Sequence, residues 1–391
     1  MQYRTDRYGN PISQLGFGCM RFAKKGAAID YEKAQRQVLL AMERGVNYFD
    51  TAYIYPGSEE CLGRILQENG VRDRVNIATK LPQYVMRSQK AIDKTFREEL
   101  QRLRTDHIDY YLMHMFTDYS QWENLKALGI EDWIAARKAE GSVRQIGFSY
   151  HGGTDAFLQI LNAYDWDFCQ IQYNYLDEHS QAGRAGLEAA QAKGIPVIIM
   201  EPLRGGKLVR LSQEAREELS NSGTGYSAAE LGLRWLWDQS GVTCVLSGMN
   251  SEDMVEENCR IADAARPGCL TEADRALVGR IRAILRAKEK VGCTGCRYCM
   301  PCPQGVDIPA IFHYYNLMYL EKKTAARFEF ARNVGIRRGN SFATACVGCG
   351  KCESHCPQHL PIRELLRQAD RDLRPAPYRL GIDIARKIMN R

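Results

Sequence analysis

The chain has 391 residues, 45% of them hydrophobic and 26% charged, with a formal net charge of +6. That length suggests two or three domains, and the composition is that of an ordinary globular protein. No apolar run approaches the ~20 residues needed to cross a bilayer, and MQYRTDRYGN lacks the apolar core of a signal peptide, which argues against a membrane protein and makes the cytoplasm the expected location.

From residue 10 to about 285, short apolar runs alternate with amphipathic stretches. The predicted strands are QLGFGCM (14–20), NYFDTA (47–52), VNIATKL (75–81), IDYYLMHM (108–115), QIGFSY (145–150), FCQIQYN (168–174), PVIIMEP (196–202) and CVLSGM (244–249). Each is followed by a helical stretch, such as EECLGRILQENG after the second and SQKAIDKTFREELQRL after the third. Several runs are apolar throughout, as parallel strands covered on both faces are. Eight strand–helix units predict an α/β chain whose residues 1–285 form a (β/α)8 TIM barrel. A doubly wound open sheet is the alternative, disfavoured because no Gly-rich phosphate fingerprint follows the early strands.

A barrel of this kind carries its chemistry at the C-terminal ends of its strands. Asp50 ends the second predicted strand, Lys80 the third and His114 the fourth, and Tyr55 lies in the loop after the second. A phenol with an ordinary pKa near 10 is a poor proton donor at neutral pH, and a neighbouring ammonium lowers that value. An aspartate balances the lysine, and a neutral histidine orients a carbonyl oxygen. The set suits hydride addition at carbon with protonation at oxygen.

These stretches resemble the aldo-keto reductase family. The resemblance is carried by GVNYFDTAYIYPGSEECLG, IATK, DYYLMH, IGFS, QIQYN and EPLRGG, in order through most of residues 10–265. It implies a catalytic tetrad of Asp50, Tyr55, Lys80 and His114 and a nicotinamide cofactor, NADP or NAD, across the barrel mouth. Ser149 and Gln170 match the family's contacts to the nicotinamide amide. Leu203, Arg204, Gly205 and Gly206 match the loop near the pyrophosphate, and Glu257 and Asn258 the adenine contacts. The chain departs from the pattern in three places. Met200 stands where a stacking aromatic is usual, Tyr150 where an asparagine follows the motif serine, and Gly248 and Met254 where basic residues commonly hold the 2′-phosphate. Met20, Arg21, Tyr84, Phe116 and Tyr150 are candidate pocket residues.

Residues 286–391 hold 19 basic and 9 acidic residues. The charges are interspersed and no aromatic stacking motif accompanies them, so nucleic acid is not the expected partner. CTGCRYCMPCPQ places Cys293, Cys296, Cys299 and Cys302, and CVGCGKCESHCPQ places Cys346, Cys349, Cys352 and Cys356. The second run has the C-x2-C-x2-C-x3-CP spacing of bacterial ferredoxins, in which the fourth cysteine serves the other cluster. The predicted ligand sets are therefore Cys293, Cys296 and Cys299 with Cys356, and Cys346, Cys349 and Cys352 with Cys302, each holding one [4Fe–4S] cluster. Zinc is the alternative, disfavoured because zinc sites use cysteine pairs split by a long loop. The six scattered cysteines, 19, 61, 169, 244, 259 and 269, read as small buried hydrophobes.

PAIFHYYNLMYLEKKTAARFEFARN between the runs and PIRELLRQADRDL after them read as helices. The 43-residue spacer is too long for a compact βαββαβ ferredoxin, and residues 286–374 resemble the α-helical ferredoxin module of succinate dehydrogenase iron–sulfur subunits. Residues 375–391 read as a C-terminal arm or short helix. The combined expectation is an NAD(P)H-dependent oxidoreductase acting on a small carbonyl or alcohol, its clusters serving electron transfer or structure. A reductase coupled to ferredoxin or flavodoxin, with a flavin at the barrel mouth, is the first alternative. A redox-sensing barrel without catalysis is the second.

Overall fold

The structure, a computed structural model, describes residues 1–179, 181–293, 299–320, 323–335, 341–356 and 358–389. The chain divides into two compact units, one of Met1–Leu211 with Ser222–Val278, the other of Ser212–Asn221 with Gly279–Arg391. No helix among the described residues is long and apolar enough to cross a membrane.

Eight strands build the first unit: β1 (Leu15–Gly18), β2 (Tyr48–Asp50), β3 (Asn76–Leu81), β4 (Ile108–Phe116), β5 (Val143–Tyr150), β6 (Phe168–Gln172), β7 (Val197–Met200) and β8 (Val242–Ser247). They pair in parallel and in chain order, and β8 returns to β1 to close the barrel. This is the predicted (β/α)8 architecture; every predicted strand is present. Serine or aspartate caps start several of the surrounding helices. Asp30 accepts from the Lys33 amide, Ser88 from Ala91 and Ser251 from Met254, each satisfying a donor that the first helical turn leaves unpaired.

Alternation along the strands decides what faces the barrel interior. One buried layer is formed by Tyr48, Ala78, Leu112, Phe168, Ile198 and Leu246. Ile12, from the hairpin that pairs Tyr3–Thr5 with Pro11–Ser13, belongs to the same cluster. Glycine makes room for these side chains. A Cβ on Gly16 would stand 2.7 Å from Leu246, and one on Gly147 within 2.8 Å of the Phe168 ring. Two residues further along each strand, the same inward parity belongs to Asp50, Lys80, His114, Ser149, Gln170, Met200 and Gly248. The barrel's layering thus gathers residues from seven strand ends to its C-terminal mouth.

In the second unit, helices Ile308–Leu320, Lys323–Phe330 and Ile362–Leu373 enclose a core that includes Ile311, Phe312, Phe330, Leu366 and Leu373. The Tyr315 and Tyr319 hydroxyls both donate to Asp372, at 3.0 and 3.3 Å. Asn316 clasps the backbone ahead of the first cysteine run: its Oδ1 accepts from the Lys290 and Val291 amides and its Nδ2 donates to the Val291 carbonyl. Helix Gln213–Ser220 belongs to this unit although it lies between barrel elements in sequence, and Glu218 pairs with Arg280 at 2.6 Å. Residues Ala376–Met389 form a helix.

Candidate active site

Lys80 Nζ is buried at the mouth and donates to both carboxylate oxygens of Asp50, each at 2.7 Å, and to the Thr51 carbonyl at 2.6 Å. An ammonium has three donors, so all of them are used. Burial alone would push Lys80 down; the adjacent Asp50 carboxylate, with the nearby Tyr55, outweighs it and holds the amine above its ordinary value. Lys80 is therefore a fixed positive charge.

Tyr55 stands beside this pair in the turn that leads into helix Ser58–Glu68. Its amide donates to the Ala52 carbonyl, and its own carbonyl accepts from Ser58. Thr51 Oγ1 and Ser58 Oγ lie 2.8 Å apart, and Ser58 Oγ reaches the Cys19 carbonyl. Those bonds fix the loop that presents the phenol. The ammonium lies 5.4 Å from the Tyr55 ring centroid. Its charge pulls the phenol toward ionisation as expected, but burial acts more strongly the other way, Asp50 and Glu201 add to burial, and Tyr55 ends above its ordinary value. The expected acidification by lysine is thus present and outweighed.

His114 meets Tyr55 edge-on, ring centroids 6.1 Å apart. Burial, then the Lys80 charge and His151, push its imidazole down to about 2. It is neutral at any working pH, and its Nδ1 is buried with no protein partner. The four predicted catalytic residues therefore share one place: a fixed cation, its counterion, a protonated phenol and a neutral imidazole.

Ser149 and Gln170 are register partners on β5 and β6 and are both fully buried. Ser149 Oγ accepts from the Met115 amide at 2.8 Å. Gln170 Nε2 is turned toward Met200 Sδ at 3.7 Å, and its Oε1 is buried without a partner. An orphaned buried acceptor is costly unless a bound group satisfies it, so the site suits a ligand amide. The loop after β7 winds through left-handed backbone at Arg204, Gly205 and Gly206. Arg204 does not extend an unpaired cation there, since its Nε pairs with Asp177 at 2.8 Å. Asn258 turns inward to Ser247 Oγ at 3.0 Å, and Glu257 accepts from Ser227.

Arg21 bridges three loops, donating to the Gly205 carbonyl at 3.1 Å. A Cβ on Gly205 would lie 2.8 Å from its Nη2, and one on Gly248 2.9 Å from its Cδ. The absence of a basic side chain at 248 thus has a spatial reason: Arg21 fills that volume. Of the other candidate pocket residues, Met20 and Tyr84 are exposed, while Phe116 and Tyr150 are fully buried and the Tyr150 hydroxyl donates to the Gly153 carbonyl. Sequence reasoning missed Glu201, which follows Met200 at φ 52° and bears on Tyr55. It also missed His151, whose effect on His114 crosses between strand ends.

In the second unit, Cys293, Cys299, Cys302, Cys346, Cys352 and Cys356 pack against the helical core, and Cys349 is exposed. Cys296 lies outside the described residues. Among the described residues no three Cys, His, Asp or Glu side chains converge closely enough to share one ion. A cubane presents one iron to each thiolate, and two runs of four thiols are the donor set such centres take.

Residues 14–266 match the family model described as the aldo/keto reductase family, and residues 292–360 match a 4Fe-4S dicluster domain. An aldo-keto reductase of Mycobacterium sp. (strain MCS) is 27% identical over 66% of this chain and 84% of its own length. A probable voltage-gated potassium channel subunit beta of Oryza sativa subsp. japonica is 24% identical over 74% and 98%. Among solved structures, the aldo-keto reductase AKR11C1 from Bacillus halodurans (holo form) superposes with a TM-score of 0.60 at 27% identity, over 72% of this chain and 96% of that one. An aldo-keto reductase from Klebsiella pneumoniae in complex with NADPH shares the fold, with a TM-score of 0.59 at 23% identity and the same coverage. Closed barrel, strand-end residues and family model agree over most of the chain, which is a member of the aldo/keto reductase family extended by a 4Fe-4S dicluster domain.

Proposed function

We propose that the chain interconverts a carbonyl and an alcohol on a small-molecule substrate, using NAD(P)H at Asp50, Tyr55, Lys80 and His114. Bound nicotinamide supplies hydride at the substrate carbon. Tyr55 Oη holds the proton that passes to the substrate oxygen. His114, neutral, orients that oxygen, and the Lys80 charge stabilises the phenolate left behind. Ser149 and Gln170 hold the cofactor amide, and the turn at Leu203–Gly206, with Gly248 and Arg21, borders the path of its phosphates. Glu257 and Asn258 shape the far end of that path. The observation that carries this reading is the buried Lys80–Asp50 pair beside a protonated Tyr55 and a neutral His114. Support also comes from the similarly folded Klebsiella protein, which holds NADPH.

The cysteine runs hold two [4Fe–4S] clusters in the crossed sets predicted from their spacing, and their chemistry is the transfer of single electrons, exchanged with a ferredoxin or flavodoxin. The test is NAD(P)H oxidation by anaerobically reconstituted protein over a carbonyl panel. Tyr55→Phe is expected to lower kcat/KM by about 10²–10⁴-fold, the usual share of a general acid, with cluster absorbance unchanged. Unchanged turnover in that variant defeats the assignment.

A further inference from the structure

We propose that the surface around the second cysteine run is the docking site of a small acidic one-electron carrier protein, steered by Arg367 and Arg371. The proposal rests on the reading that the cysteine runs hold iron–sulfur clusters. Six of the seven described run cysteines pack against the helical core, and the seventh, Cys349, is exposed. Val347 beside it is 68% exposed. Gly348 and Gly350 flank Cys349 with left-handed backbone, at φ 75° and 76°. The run therefore shows solvent a ligand thiol and an apolar contact, the small patch that weak electron-transfer encounters use.

An arginine stripe begins at this patch. Arg363 Nη1 donates to the Gly348 carbonyl at 3.2 Å, and Glu353 orients it by accepting from its backbone amide at 2.8 Å and from its Nε at 2.9 Å. Arg367 and Arg371 follow at four-residue spacing on the same helix, which places the three on one face. All are exposed, while Ile362, Leu366, Ala369 and Leu373 are buried. Glu353 balances Arg363. Asp372 stands 3.6 Å from Arg371 Nε but also holds two tyrosine hydroxyls, and Asp370 is paired with Arg374. Glu364 is the exposed carboxylate of this helix, and its Oε1 accepts from Gln368. Arg367 and exposed Lys351 complete a cationic rim, on a segment with 19 basic residues against 9 acidic. Such a rim attracts an acidic partner and raises its on-rate. At contact one electron leaves the reduced carrier and enters the oxidised cluster; no bond or proton changes hands.

The experiment follows reduction of the reconstituted full-length protein by a reduced, small acidic ferredoxin in a stopped-flow instrument. The wild-type rate is expected to fall steeply with salt. Arg367→Glu with Arg371→Glu is expected to slow it at least about tenfold at low ionic strength. The two proteins should converge near 1 M salt, where screening acts within about 3 Å. Reduction by dithionite and iron content should be unchanged. The milder pair Arg367→Gln and Arg371→Gln should show a smaller slowing in the same direction. A salt-independent wild-type rate, or equal rates in iron-loaded variants, overturns the docking site alone. Failure of the wild type to bind iron overturns the cluster reading, and the docking site with it.

Discussion

Replacing Lys80 by methionine tests the electrostatic core of the site. The lysine and aspartate side chains are 1% and 6% exposed, so the change strands a buried carboxylate with no cation. Removing one partner of such a pair costs about 3–5 kcal/mol, whereas replacing both by apolar residues of similar volume is often neutral. Lys80→Met is therefore expected to lose about 3–5 kcal/mol, and Lys80→Met with Asp50→Leu to recover most of it. The loss should also depend on pH. Burial already holds Asp50 above its ordinary value against the pull of Lys80, and loss of the ammonium raises it further. Such a group destabilises the fold least below the unfolded pKa, near 3.9, and the penalty grows as pH rises toward the folded pKa, by up to about 1.4 kcal/mol per unit. Urea unfolding followed by tryptophan fluorescence is the assay. All five tryptophans lie between residues 122 and 237, within the barrel unit, so the signal reports the barrel. A cost under about 1 kcal/mol, or no coupling in the double-mutant cycle, would refute the reasoning.

Three further outcomes are expected. His114 is pushed down to about 2 by burial, so the unfolded chain binds its proton first. The stability it contributes is complete above pH 6.5 and is lost as pH falls toward 2; His114→Asn should flatten that part of a stability–pH curve. Tyr55 is held above its ordinary value, so alcohol oxidation, which needs the phenolate, should quicken about tenfold per pH unit up to about pH 10 while carbonyl reduction stays flat; a plateau in oxidation near neutrality would contradict this. Cys293→Ala with Cys356→Ala should keep about half the iron if the fourth cysteines cross between runs, and lose nearly all of it if they do not; iron and sulfide assays decide.

The strands were legible because each is a short, largely apolar run, and the alternation of side-chain direction along a strand carried the inward-facing Asp50, Lys80 and His114 with it. The cysteine runs were legible because their ligand spacing is local. What the sequence hid depends on distance. Arg21 and Gly205 are 184 residues apart, and no local pattern says that a side chain from the first loop fills the space where a basic residue at 248 would stand. The same holds for helix Gln213–Ser220, which lies between barrel elements in sequence yet packs with residues beyond 279. The direction of the Tyr55 shift was hidden too. Residue types give the sign of each charge, but the extent of burial decides which influence wins.

That burial changes the role open to Lys80. Its three donors are bound to Asp50 and Thr51, so it has none left for the Tyr55 hydroxyl and does not relay protons. Its charge reaches the phenol across the ring, 5.4 Å from the centroid. A buried phenol held above its ordinary value stays protonated, the form that carbonyl reduction requires at the start. In the proposed reaction, once the proton has moved to the substrate oxygen, the same buried surroundings disfavour the phenolate, and the fixed ammonium is then the nearest compensating charge. Lys80 thus interacts more strongly with the product of proton transfer than with the resting phenol. That difference between the two states is the kind that lowers a barrier, rather than one that only tightens binding.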